Sequence, residues 1–191
     1  LRYPGGKSGL LNYIRALIHL NGLEGGHYVE VYAGGAGVAI GLLLTETVRR
    51  VHINDIDIAV WAFWDSVLNR PEELVRQIRD TLVTVDEWDR QRKVQVRPTE
   101  VTPLQLGFST FFLNRVNRSG ILTGGLIGGK NQTGTYKIDA RYNKDALIRR
   151  IERIARLADR ISLYRTDAAE FLQKRLHKLP KNTLVYLDPP Y

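Results

Sequence analysis

The segment that most narrows the fold is Tyr28–Leu44. Tyr28-Val29-Glu30-Val31-Tyr32 is a β-branched and aromatic run that reads as a buried strand. Ala33-Gly34-Gly35-Ala36-Gly37 follows at once, and Val38 to Leu44 opens a helix. Strand, glycine loop and helix in that order make the first half of a nucleotide-binding βαβ unit. Small residues let the backbone pass close to a ligand, and the helix N-terminus offers free N–H groups. The spacing is not G-x-G-x-x-G, so a dinucleotide fold is not implied, and tight strand–helix packing would also explain these glycines.

Three further strands end at or near an acid. Val51-His52-Ile53-Asn54-Asp55 puts Asp55 about twenty residues past the glycine loop, where an acid at the second strand's tip grips ribose hydroxyls. Asp57 is its rival, or else caps the helix carrying Ile58, Val60, Trp61 and Trp64. Ile161-Ser162-Leu163-Tyr164-Arg165 is the third strand; Asp167 reads as the cap of a helix from Ala168 to Leu176. Thr183 to Leu187 is the fourth, and Asp188-Pro189-Pro190-Tyr191 follows it. Proline lacks an N–H and fixes φ, so the two prolines stop the strand and hold a carboxylate, a carbonyl and a ring in an extended turn. That edge of an open α/β sheet is where ligands bind. A surface turn is the competing reading of a bare Asp-Pro-Pro.

The 191 residues suffice for one domain with an inserted subdomain. The net charge of +8 favours a polyanionic partner, most often nucleic acid. No cysteine is present, which excludes disulfides and thiolate zinc sites, and the four histidines lack metal-ligand spacing, so no metal is expected. The longest apolar run, Val38 to Leu44, is too short to span a bilayer, and no basic-then-apolar leader precedes it.

Near the start, Ser8 reads as the N-cap of a helix bearing Leu11, Ile14, Leu17 and Ile18. Gly6-Lys7-Ser8 invites a phosphate loop, but Leu1 stands where that loop needs its first glycine. Pro71 opens a helix with Leu74, Val75, Ile78 and Leu82, Val85 to Val96 forms another, and Leu104 to Val116 a third whose Phe108, Phe111 and Phe112 are assigned to the core. From Arg115 to Tyr142 the chain turns rich in Gly, Asn, Ser, Thr and Lys. Arg115, Asn117, Arg118, Lys130, Asn131, Gln132, Lys137 and Arg141 could meet phosphates and base edges, although a solvated loop explains the composition equally. Asn143 caps a helix that buries Leu147, Ile151, Ile154 and Leu157; Arg149, Arg150, Arg153, Arg156 and Arg160 fall largely on its other side.

Arg-Tyr-Pro-Gly-Gly-Lys at 2–7, the glycine loop at 28–37, Asn-Asp at 54–55, Phe-Phe-Leu-Asn-Arg at 111–115 and Asp-Pro-Pro-Tyr at 188–191 follow one another as in the Dam-like DNA adenine-N6 methyltransferases, which this chain resembles over nearly its whole length. One departure is Glu30-Val31-Tyr32 where the family often has Glu-Pro-Phe. The resemblance implies an α/β, Rossmann-like methyltransferase fold with a mostly helical inserted target-recognition subdomain. Residues 1–65 and 143–191 would form the catalytic domain and 66–142 the insert. Family members continue past Asp-Pro-Pro-Tyr, so the chain reads as lacking the C-terminal strands. S-adenosylmethionine is the implied methyl donor and double-stranded DNA the partner, in a cytoplasmic bacterial, archaeal or phage-encoded enzyme. Tyr3 and Lys7 would line the donor's pocket; Glu30 and the backbone of Ala33, Gly34, Gly35 and Gly37 would hold its methionine part; Asp55 would hold the ribose and Asp167 meet the adenine ring. Arg115, Asn117, Arg118, Lys130 and Asn131 would contact DNA.

Chemistry gives the last motif a role of its own. The exocyclic nitrogen of adenine is a poor nucleophile because its lone pair is delocalised into the ring. The Asp188 carboxylate and Pro189 carbonyl can each accept one of its N–H bonds, which favours a tetrahedral nitrogen with its lone pair aimed at the methyl group. The base must first leave the duplex, and Tyr191 offers a face to stack on it. A non-catalytic DNA-binding module is the rival reading; donor binding separates the two.

Overall fold

The computed structural model describes Leu1 and residues 7–189. The described residues divide into two compact units: Leu1 with Ala62–Arg156, which is helical, and the segments 7–61 and 157–189, which build a sheet.

In the sheet unit, β1 (His27–Glu30), β2 (Arg50–Asn54), β3 (Ile161–Tyr164) and β4 (Thr183–Tyr186) form one sheet in the order β3-β2-β1-β4. All three pairings are parallel, as a Rossmann-like fold requires. The strands have short β-branched cores, and β1 and β2 are buried almost throughout. Side chains alternate across the sheet. Val29 and Val31 pack with Val185, Tyr164 and the α8 (Ala168–Arg175) residues Phe171 and Leu172 on one face. The same face carries a polar ladder, His27 Nδ1 to His52 Nε2 at 3.0 Å and His52 Nδ1 to the Tyr164 hydroxyl at 3.2 Å. Tyr28 and Glu30 face the other way, toward α2 (Gly37–Leu44). There α1 (Leu11–Leu20) buries Ile14 and Ile18. It lies so close to α2 that a Cβ on Gly41 would come within 2.8 Å of the Leu11 side chain.

The expected Ser8 cap is not what starts α1. A 3-10 turn, Lys7–Leu10, precedes the helix, and Leu10 occupies the cap position with no side-chain hydrogen bond. The other caps follow the sequence. Asp57 Oδ1 accepts from Ala59 N at 2.8 Å at the start of α3 (Ile58–Asn69), and Asp167 Oδ1 accepts from Ala169 N and Glu170 N to open α8.

The helical unit holds the remainder of α3 with α4 (Pro71–Asp80), α5 (Val85–Val96), α6 (Pro103–Val116) and α7 (Lys144–Ala155). Thr102 and Gln105 form a reciprocal capping box ahead of α6. Phe108, Phe111 and Phe112 are core residues: Phe111 stacks on Phe63 and meets Tyr142 edge-on, and Phe112 makes tilted contacts with Phe108 and Tyr142. Gly107 lets α6 approach α3, since a Cβ there would sit 2.4 Å from the Ala62 carbonyl oxygen. Lys144 at the start of α7 donates to the Arg79 and Thr81 carbonyls, both at 2.7 Å, and so closes the C-terminal end of α4. No helix is long and apolar enough to cross a membrane among the described residues.

Candidate active site

The strand order fixes where a ligand can sit. β1 runs to β2 and then β3 in one direction, while β4 lies on β1's other side. The crevice at such a reversal opens beyond the carboxyl ends of the two strands, here Glu30 and Tyr186, which are register partners. Val31 N donates to the Tyr186 carbonyl at 3.3 Å, so the chain leaving β4 toward Asp188 runs beside the chain entering the glycine loop.

That loop is held by acids and amides from the neighbouring strand. Gly34 N donates to Asp55 Oδ2 at 2.8 Å, Asp57 N to Asp55 Oδ1 at 3.0 Å, and Ala33 N to the Asn54 carbonyl at 2.9 Å. Gly34 has φ +46°, in the left-handed region that favours glycine. Ala36 follows at φ +45° as the N-cap of α2, a left-handed conformation that strains an alanine. Glu30 Oε1 accepts from Ala39 N at 2.9 Å, inside the first turn of α2.

Sequence reasoning gave Asn54 no role, yet it is the strut of this edge. It is buried, its Nδ2 donates to the Val31 and Thr166 carbonyls at 3.0 Å, and its Oδ1 accepts from Thr166 N and Oγ1 at 3.0 Å. One amide therefore ties the tips of β1, β2 and β3 together. The signal available was an asparagine ending an apolar strand, where burial obliges every polar group to find a partner.

The acids at these tips are electrostatically perturbed. Burial, with Asp188 nearby adding repulsion, pushes the Glu30 carboxyl up to about 7, against the hydrogen bond from Ala39 N. Burial also raises Asp55, against its two backbone donors. Tyr28, two residues before Glu30 on the same face, is raised by burial and by the Glu30 charge. Tyr32, Ile56 and Leu187 leave exposed apolar surface just past β1, β2 and β4. Asp167 is exposed and engaged in capping α8. Tyr3 and Tyr191 lie outside the described residues, as does the Lys7 side chain.

A family model for D12 class N6 adenine-specific DNA methyltransferases matches residues 3–191. The chain belongs to this family. No curated protein matches it. The parallel sheet is thus that of a D12 class methyltransferase.

In the helical unit of this D12 chain the residues expected at DNA are handled in two ways. Arg118, Lys130 and Asn131 are exposed. Arg115 is half-buried with its guanidinium 5.9 Å from the centre of the Phe111 ring. Asn117 is 0% exposed, and its amide is engaged by the protein itself: Oδ1 accepts from Trp88 Nε1 at 2.7 Å, and Nδ2 donates to the Ile121 and Leu122 carbonyls at 2.9 Å. Gln132 likewise turns inward. Of the five arginines read as one face, Arg149, Arg150, Arg153 and Arg156 are exposed, but Arg160 donates to the Arg49 and Val48 carbonyls in the sheet unit and is structural. No group of three metal-ligating side chains occurs among the described residues.

Proposed function

We propose that this D12 methyltransferase moves the methyl group of S-adenosylmethionine to the N6 of an adenine at a specific site in duplex DNA, with that adenine turned out of the helix. The observation that carries the reading is the β1–β4 pairing, which brings the Asp188 turn alongside the glycine loop and Glu30.

S-adenosylmethionine would supply an electrophilic methyl group on a positively charged sulfur. The residues present suit such a group. A hollow whose buried Glu30 is raised toward 7 partly by a neighbouring carboxylate gains from a positive ligand. The first turn of α2 and the loop Ala33–Gly37 offer backbone N–H groups to a carboxylate. In this reading Tyr3, Lys7, Glu30 and the loop hold the methionine end, Asp55 the ribose, and Asp167 the adenine end, with Ile56 adding apolar surface. Asp188 and the Pro189 carbonyl orient the target's amino group, and Tyr191 stacks on the extruded base. Positioning and electrostatics then carry the reaction without a covalent intermediate. The proton leaves after transfer, when methylation has made it acidic. Arg118, Lys130 and Asn131 of the inserted segment 66–142, with Arg115, serve the DNA backbone and bases.

The test is to give the intact protein duplex DNA and labelled S-adenosylmethionine. Label on adenine N6 is expected, and its absence defeats the reading. Binding of duplex without any binding of S-adenosylmethionine would identify a non-catalytic module instead.

A further inference from the structure

The stretch 117–138 lies within the segment 115–142, whose composition fits nucleic-acid contacts and a solvated loop equally. It forms two closed turns with amides at their centres. The first is drawn shut by Arg118 N to the Gly125 carbonyl at 2.9 Å and by an antiparallel bridge between Asn117 and Leu126. The Asn117 Nδ2 bonds fill it, joined by Asn114 Nδ2 to the Gly120 carbonyl at 2.8 Å. Gln132 fills the second. Its Nε2 donates to the Ile127 and Gly129 carbonyls at 2.9 and 2.6 Å, its Oε1 accepts from Ile138 N at 2.7 Å, and its own carbonyl accepts from Lys137 Nζ at 2.6 Å. Gln132 holds φ +51°, a left-handed conformation that costs a non-glycine residue energy and persists here because these bonds over-determine it. Both turns rest on Trp88 of α5. Its indole N–H holds Asn117, and its ring carries Lys130 Nζ on one contact at 5.4 Å and the Arg92 guanidinium on another at 4.9 Å.

With the amides turned in, the surface of these turns is cationic. From Arg115 to Ile138 the sequence has no acid, and Arg118, Lys130 and Lys137 are exposed. We propose that Asn117 and Gln132 are positioning residues that hold segment 118–138, before DNA arrives, in the shape in which its cations meet the duplex, and that neither touches DNA. The inference rests on the functional reading above. Its physical basis is preorganisation: a loop already ordered loses little conformational freedom on binding, so its contacts appear in full as affinity.

Asn117→Ala strips the partners from three groups at a buried place and risks unfolding, so Gln132→Ala carries the test. The intact variant should show a KM for duplex DNA raised about tenfold, with a much smaller change in kcat, as expected when a loop must be ordered during binding. Amide hydrogens of 127–138 should exchange faster in the free protein. The salt dependence of DNA binding should keep its slope, because no phosphate contact has gone, whereas Lys130→Ala should lower that slope by about 0.9. Gly128→Ala puts a methyl 2.7 Å from the Tyr136 carbonyl oxygen and 3.0 Å from Gln132 Nε2, at a residue with φ +81°; it should reproduce the Gln132→Ala pattern. An unchanged KM in either variant overturns the inference alone. So does a reduced salt slope in Gln132→Ala, which would make Gln132 a contact, or loss of S-adenosylmethionine binding, which would make it a general stability element. Failure of the wild-type protein to bind duplex DNA overturns the functional reading with it.

Discussion

The loop after β1 and the loop after α6 are both rich in glycine and both sit where function is read, yet they are built oppositely. At the sheet edge, side chains at the end of β2 and just past it reach across to fix the backbone leaving β1, Asn54 at Val31 and Asp55 at Gly34, and the acids remain at the crevice. After α6 the loop fixes itself, with Asn117 and Gln132 pointing inward and the cations outward. The first arrangement suits a small ligand with positive charge, and the second suits an extended polyanion. The lesson is that a polar residue in a glycine-rich loop acquires meaning only once its hydrogen-bond partners are known.

The largest expected effect breaks the sheet-edge side. Asp188→Ala should lower turnover at least about 10²-fold, on the scale of removing one aligned hydrogen-bonding group from an active site. Duplex binding by gel shift should remain; losing both would mark Asp188 as structural.

Next comes Glu30. Its folded-state pKa, about 7, lies above its ordinary 4.5, so between these values the folded protein holds a proton the unfolded chain has released. Stability contributed by the protonated form is therefore whole below pH 4.5 and falls as pH rises toward 7, by up to roughly 3 kcal/mol. His52 works in the opposite sense, since burial and His27 lower it to about 4. The informative quantity is thus the difference between wild type and Glu30→Gln in ligand-free denaturation across pH 4–8. The variant should gain on the wild type as pH rises, and parallel curves would remove Glu30 from the argument.

Asn54→Ala leaves two carbonyls and the Thr166 amide unpaired at a buried edge and should cost about 2 kcal/mol, read as a lower Tm. An effect within 0.5 kcal/mol, the usual range for surface changes, would deny Asn54 its role as a strut (roughly, by that standard). The smallest effect sharpens the loop side. Lys130 pairs with Asp89 at 3.3 Å, and both are well exposed. Asp89→Asn releases the cation and removes a charge that repels phosphate, so duplex affinity should rise about two- to fivefold at low salt, in line with the modest worth of surface pairs.

Much of the fold was legible because it is written in periodicity and punctuation. Val85–Val96 is the helix the sequence predicts, and Asn143 and Asp167 cap the helices they precede. Ser8 misled because a 3-10 turn intervenes before α1, and hydroxyl-before-helix patterns do not reveal such a turn. At the site, Asp55 and Asp188 stood out in the sequence because each ends an apolar strand, whereas Glu30 was singled out only through the family resemblance. Asn54 was hidden beside Asp55, and for Asn117 and Gln132 nucleic-acid contacts and a solvated loop stood equally open, because composition says what an amide can bond and not which way it faces.

The pairing of β1 with β4 carries a consequence for synthesis. The sheet's inner strand waits for a partner made long after it, so the crevice beyond β1 and β4 cannot exist while the nascent chain ends before residue 183. Until then the β4-side edge of β1 is bare, and that interval is when a growing chain of this kind is most exposed to mispairing and aggregation.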